Sequence, residues 1–204
     1  MVGSVTSSHE APKLSKSPIA SFVALETSEL KPLSLYGKTK VEAEKTIMQR
    51  KNSISFRLAT VFGPSSRMRV DLLVNNFTYI AYFEKYLKLY EPHFRRNYIH
   101  VNDVVEAIIF SIKNFTRLKS NVYNLGLSSA NLTKYMLVAK IKKQLTSLKV
   151  QIVKNKKDPD QRDYFVSNKK IEDKGFKAKI SIEEGIEELI QVFTHSREKI
   201  INNY

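Results

Sequence analysis

Pro32-Leu33-Ser34-Leu35-Tyr36-Gly37-Lys38-Thr39-Lys40-Val41-Glu42-Ala43-Glu44-Lys45 is the stretch that decides how the rest of the chain is read. From Ser34 onward the residues are good helix formers, no proline intervenes until Pro64, and acids and bases recur at i,i+4 spacing. This pattern predicts a helix running to about Arg50. On that helix Tyr36 and Lys40 stand one turn apart and share a face. A phenol beside an ammonium has its charged form favoured, and a tyrosine so placed can act as a general acid or base near neutral pH.

Tyr-x-x-x-Lys alone is a common spacing, and its surroundings give it meaning. Pro-Leu-Ser-Leu-Tyr-Gly-Lys-Thr-Lys-Val-Glu-Ala-Glu resembles the active-site segment of the extended short-chain dehydrogenase/reductase family, in its nucleotide-sugar epimerase and dehydratase branch. Further segments follow in that family's order. Ser53-Ile54-Ser55-Phe56-Arg57-Leu58-Ala59-Thr60-Val61-Phe62-Gly63-Pro64 alternates apolar and polar residues and ends in Gly-Pro, a strand running into a turn. It resembles the family's Arg-x-x-x-Val-Tyr/Phe-Gly-Pro strand. Phe94-Arg95-Arg96-Asn97-Tyr98-Ile99-His100-Val101-Asn102-Asp103-Val104-Val105 resembles the family's Arg-Asp-Tyr/Phe-Ile-His-Val-x-Asp-Val segment. Its alternation predicts a strand to about Asn102, with Asn102 or Asp103 capping a helix over 104–115. Asn121-Val122-Tyr123-Asn124-Leu125-Gly126 resembles the family's Tyr-Asn-Leu/Val-Gly strand.

Elsewhere the residues speak for themselves. Strands are expected at 86–90 and 150–153, and a helix at about 132–145. Ser181 and Glu184 form a capping box on a final apolar-faced helix.

The resemblance implies an α/β fold: the C-terminal part of a Rossmann-type parallel sheet with a smaller α/β substrate-binding lobe. Residues 1–63 would be a remnant of the dinucleotide-binding domain, and 96–125 its returning strand and helix. Residues 64–95 and 126–180 would form the substrate lobe, and 181–204 a closing helix. It also implies an NAD-dependent epimerase/dehydratase or reductase, an isomerase, lyase or oxidoreductase of carbohydrate biosynthesis. The catalytic residues would be Tyr36, Lys40 and a serine: Ser8 is favoured, with Ser7 and Ser15 as alternatives. Tyr36, Lys40 and Ala59 would face NAD or NADP. Thr60, Arg69, Asn76, Arg96 and Arg162 would face the nucleotide-sugar, the arginines through its phosphates. His100 reads as a structural histidine.

A dinucleotide fold needs a glycine-rich turn at the mouth of its first helix so that backbone can approach the pyrophosphate. The chain has six glycines, none in a Gly-x-Gly-x-x-Gly arrangement. The expectation is therefore a fragment or half of a split enzyme, whose cofactor binding requires a missing N-terminal half. The alternative is a non-catalytic nucleotide-sugar-binding or interaction relic. Family members often dimerise through the tyrosine-bearing helix, so a homodimer or a complementary N-terminal chain is the expected partner.

Composition narrows the field further. The net charge of +14 comes from scattered lysines, with short clusters such as Lys142-Lys143, and no arginine-rich or aromatic-interleaved stripe marks a nucleic-acid surface. There is no cysteine for a disulfide or thiolate metal site. There is also no apolar run of about 18 residues to span a membrane. A cytoplasmic location is expected.

Overall fold

The computed structural model describes residues 23–32, 34–153 and 163–195; Ser7, Ser8, Ser15 and Arg162 lie outside them. In chain order the strands are β1 (Val23–Ala24), β2 (Ile54–Leu58), β3 (Thr60–Phe62), β4 (Tyr86–Tyr90), β5 (Arg95–His100), β6 (Asn121–Leu125), β7 (Asn131–Thr133), β8 (Lys149–Val153) and β9 (Phe165–Val166). The helices are α1 (Leu35–Met48), α2 (Leu73–Phe83), α3 (Val101–Lys113), α4 (Phe115–Leu118), α5 (Lys134–Gln144), α6 (Lys169–Glu172) and α7 (Ile182–His195).

The helix expected after Ser34 forms as α1, and the Ser34 hydroxyl accepts the Gly37 amide at 3.0 Å to close its first turn. The single strand expected over 53–62 is two. At Ala59 the chain leaves one partner for another: the Ala59 amide still donates to the Leu125 carbonyl at 2.8 Å, whereas Thr60–Phe62 pair with Tyr98–His100. β2 runs parallel to β6 and β3 parallel to β5. β4 runs parallel to β8, and β1 to β9. Among the described residues only β7 is antiparallel, pairing with β5. Parallel pairs require crossovers, and α2, α3 and α5 lie in the long connections between them.

β5 corrects the sequence reading. It ends at His100, and α3 begins at Val101 with His100 as its cap, the ring Nδ1 accepting the Asn102 amide at 3.3 Å. Asp103 does not cap the helix from the preceding loop. Its buried carboxylate accepts the amides of Lys179 at 3.0 and 3.1 Å and of Ile180 at 3.0 Å, which fastens α3 to the segment before α7. β5 itself lies between two apolar cores. Tyr98 enters one apolar core and Ile99 another, so both its faces are covered.

The larger core joins α2 (Val74, Phe77, Ala81), β4 (Leu87, Leu89), α5 (Leu137, Ile141) and α7 (Ile182, Ile186, Leu189, Phe193). The α7 residues repeat at helical spacing, behind the capping box read from the sequence: the Ser181 amide donates to Glu184 at 2.7 Å and the Glu184 amide to Ser181 at 3.1 Å. The smaller core gathers Ala107, Leu118, Tyr123, Leu125, Ile171 and Phe176 around Ile99. Gly63, in the turn after β3, sits at φ +107°, and a Cβ there would stand 2.2 Å from Nε2 of His100. Among the described residues no helix is long and apolar enough to cross a membrane.

Candidate active site

Tyr36 and Lys40 share the face that their spacing requires, with the lysine Nζ 5.4 Å from the tyrosine ring centroid. Tyr36 is 72% exposed, so its phenol is open to a ligand. α1 buries none of its residues, and a polar clamp helps to fasten it instead. Arg57, on β2, donates from Nε to Oε2 of Glu44 at 3.0 Å and from Nη2 to Oε1 at 2.7 Å. Its Nη1 donates to the Glu26 carbonyl at 3.0 Å, and the Ser55 hydroxyl adds a bond to Glu44 at 3.3 Å. The hydrogen bonds from Arg57, helped by its charge, hold the Glu44 carboxyl below the usual glutamate value despite partial burial.

This clamp sets the direction of the Tyr36 face. Tyr36, Lys40 and Glu44 form one i,i+4,i+8 stripe, so fixing Glu44 orients the other two. The Ser53 hydroxyl donates to the Ile47 carbonyl at 2.9 Å, which puts the end of α1 beside the start of β2. Eight residues of helix then carry Tyr36 about 12 Å back toward the C-terminal end of β2. Ligands of open α/β sheets bind at such strand ends. There Ala59 and Thr60 are half-buried. Gly126 follows the end of β6, and a Cβ there would lie 1.7 Å from Asn97 Oδ1 and 3.0 Å from Ala59 Cβ, so hydrogen alone fits. Asn97 in turn donates to the Leu127 carbonyl at 2.9 Å.

The expected substrate residues fall into two groups. Arg69 lies in the loop before α2, bound through two nitrogens to Asp71 at 2.7 and 2.5 Å. Asn75 is buried, accepting the Gly63 amide at 3.1 Å and donating to the Arg69 carbonyl at 3.0 Å, so it ties this loop to the turn after β3. Its neighbour Asn76 is half-buried. The second group is on β5. Arg96 is buried, donating to the Arg95 carbonyl at 2.7 Å, with its guanidinium 6.0 Å from the Tyr164 ring. Arg95 pairs with Asp163 at 3.2 Å. Burial pushes the Asp163 carboxyl up, but hydrogen bonds from Arg95 outweigh it and leave the group below the usual aspartate value.

Sequence reasoning passed over Glu44, Arg57, Asn75 and Asn97. The first had a visible signal, since it extends the Tyr36 and Lys40 stripe by one more turn. Among the described residues no group of three His, Asp or Glu side chains is placed to hold a metal ion.

The profile of the NAD dependent epimerase/dehydratase family matches residues 2–126. The chain belongs to that family. It is 26% identical over 186 residues to a member from Arabidopsis thaliana, the trifunctional UDP-glucose 4,6-dehydratase/UDP-4-keto-6-deoxy-D-glucose 3,5-epimerase/UDP-4-keto-L-rhamnose-reductase, a match covering 85% of this chain and 26% of that protein. Its fold is similar to that of dTDP-glucose 4,6-dehydratase from Bacillus anthracis in complex with NAD, with TM-score 0.73 and 22% identity over 87% of this chain and 57% of that one. The UDP-glucose 4-epimerase of Thermus thermophilus, in complex with NAD, gives TM-score 0.71 and 21% identity over 92% of this chain and 60% of that one. This epimerase/dehydratase family chain thus spans 26% of the plant protein's length and 57% to 60% of those two solved chains. Its fold class is the Rossmann-type α/β of these structures.

Proposed function

We propose that this chain takes part in epimerising, dehydrating or reducing a nucleotide-sugar, with Tyr36 as the acid-base group. The observation that carries the reading is an exposed Tyr36 beside Lys40 on a helix clamped, through Glu44 and Arg57, along a strand of a parallel pair. Tyr36 would take the proton from a sugar hydroxyl and return it at the close of the reaction. Lys40 would hold a ribose hydroxyl and set positive charge beside the ring. A serine, with Ser8 favoured by resemblance, would orient the reacting oxygen. Thr60, Arg69, Asn76, Arg96 and Arg162 would hold the nucleotide-sugar; the exposed Arg69–Asp71 pair is weak enough to yield to a phosphate.

The residues present fit one end of a nicotinamide dinucleotide. The open face of Tyr36 and Lys40, and the small residue Ala59 just past β2, would leave room for the ribose and nicotinamide. When bound, that cofactor supplies the hydride acceptor and donor. The pyrophosphate end needs a glycine-rich turn, which these residues do not include. We assign that turn to a complementary N-terminal half. The same observation favours a second reading, a nucleotide-sugar-binding or interaction role without catalysis.

Calorimetric titration of the purified chain separates the two. UDP-glucose is expected to bind saturably, and UDP more tightly than uridine, because the arginines read phosphate. Stoichiometric NADH binding beside it supports the catalytic reading, while UDP-glucose binding without NADH supports the second. Failure of UDP-glucose and UDP to bind overturns both.

A further inference from the structure

α3 turns its small and polar residues inward, with Asp103, Ala107 and Ser111 as its buried positions. Val105, Ile108, Ile109 and Ile112 point the other way and remain 48%, 48%, 38% and 72% exposed. Their i,i+3,i+4,i+7 spacing aligns them into one stripe along the outer crest of the helix. Phe115, which opens α4, follows them in the chain with its side chain also exposed. A contiguous apolar patch of this kind marks a surface that something else covers. The smaller core is complete without it, since Val104, Ala107 and Phe110 make the inward contacts of α3.

Shape and charge around the stripe indicate what covers it. Along one flank a cleft of about 300 Å³ opens between α3 and residues 175–179, and Ile109, Phe110, Lys113, Phe176, Lys177 and Lys179 line it. The three lysines are exposed, and none of them enters an ion pair among the described residues. Arg117 stands beside them, its guanidinium 5.8 Å from the centroid of the Phe110 ring. Of the two acids on α3, Glu106 is exposed, while the carboxylate of Asp103 is taken up by the Lys179 and Ile180 amides. The result is a convex apolar crest with a basic flank. A crest offers no pocket to the anchor side chain of a protein partner. It suits a soft apolar layer, and lysines beside it suit the anionic headgroups that border such a layer.

We infer that α3 docks this chain on an anionic bilayer surface, the crest over 105–112 entering the acyl boundary while Lys113, Lys177 and Lys179 meet the headgroups. With 13 residues, about 20 Å of helix, α3 is too short to cross a bilayer and lies along it. One short stripe and a few lysines make the attachment reversible and sensitive to salt. The assignment is independent of the chemistry proposed for Tyr36.

Co-sedimentation of the purified chain with sucrose-loaded vesicles tests it. The chain is expected to bind vesicles of phosphatidylcholine mixed with phosphatidylglycerol, to bind pure phosphatidylcholine far less, and to be partly released by salt. Ile108→Glu combined with Ile112→Glu should abolish binding with the thermal melt unchanged, because both side chains point away from the core. Lys177→Glu combined with Lys179→Glu should weaken binding by about tenfold or more. Lys142→Glu combined with Lys143→Glu makes the same change in net charge on α5, which packs in the other core, and should matter much less. A chain that leaves both kinds of vesicle alone overturns the assignment. So does binding that survives the double isoleucine change, and so do two lysine pairs of equal effect, since either reduces the attraction to net charge. Retention by an immobilised acidic protein through the same isoleucines, without vesicle binding, also overturns it and gives the surface to a protein partner.

Discussion

Arg57 spends three donors on the helix that carries Tyr36 and the loop before it, and this makes the position sensitive to pH as well as to substitution. The folded-state value of Glu44 lies below the ordinary 4.5. A depressed carboxylate contributes stability that is fully present above the unfolded value and is lost as pH falls through the folded one. Arg57→Met should therefore cost about 2–3 kcal/mol at pH 7, where Glu44 is left charged and mostly buried without its partner. The gap from wild type should narrow in urea melts near pH 4, where a Glu44 without Arg57 takes up a proton; a gap independent of pH would contradict the clamp. Tyr36 and Lys40 could be read in advance because their relation is local, one turn of one helix. Arg57 could not, because its partnership with Glu44 exists only once a helix has docked on a strand. His100 was missed as a cap for a related reason. Asn102 and Asp103 are the better capping types, but the carboxylate of Asp103 is engaged by the Lys179 and Ile180 amides, a contact far away in the chain.

That engagement gives the elements their joints. Asp103 holds the first turn of α3 to the run that leads into α7, accepting two successive backbone amides. Asp103→Ala should cost about 2–3 kcal/mol, as buried donors are left unsatisfied, while Asn102→Ala on the exposed side should stay within about 0.5 kcal/mol. Equal effects in thermal melts would return the cap to the residues that sequence favoured. α5 was readable nearly to its ends and α7 at its start, where the capping box stands, and so were β4, β6 and β8. β2 and β3 were not readable as two strands, because the change of partner at Ala59 leaves the alternation of side chains intact. The alternating residues of β5 marked a strand but not its surroundings: two cores meet across it at Tyr98 and Ile99.

Across the whole molecule, order is unevenly distributed. α1 buries no residue, whereas α2, α5 and α7 meet in the larger core. Native-state hydrogen exchange should therefore find the amides of α1 opening at far lower free energy than those around Leu137, Ile141, Ile186 and Leu189. Comparable protection in both places would mean that something beyond the Glu44–Arg57 clamp and a few side-chain bonds secures the helix. The α/β class was legible because motif order survives in sequence; the pairing of strands was not, because each parallel pair joins segments far apart. That separation governs how the chain leaves the ribosome. The first ladder able to close is β3 with β5, once His100 has emerged, while Ile54 must wait for Asn121, Tyr86 for Lys149 and Val23 for Phe165. At about 5–20 residues per second, β4 stays unpaired for several seconds, with Leu87 and Leu89 uncovered. Until Val153 has emerged, a nascent chain of this design leaves an unpaired apolar strand open to aggregation.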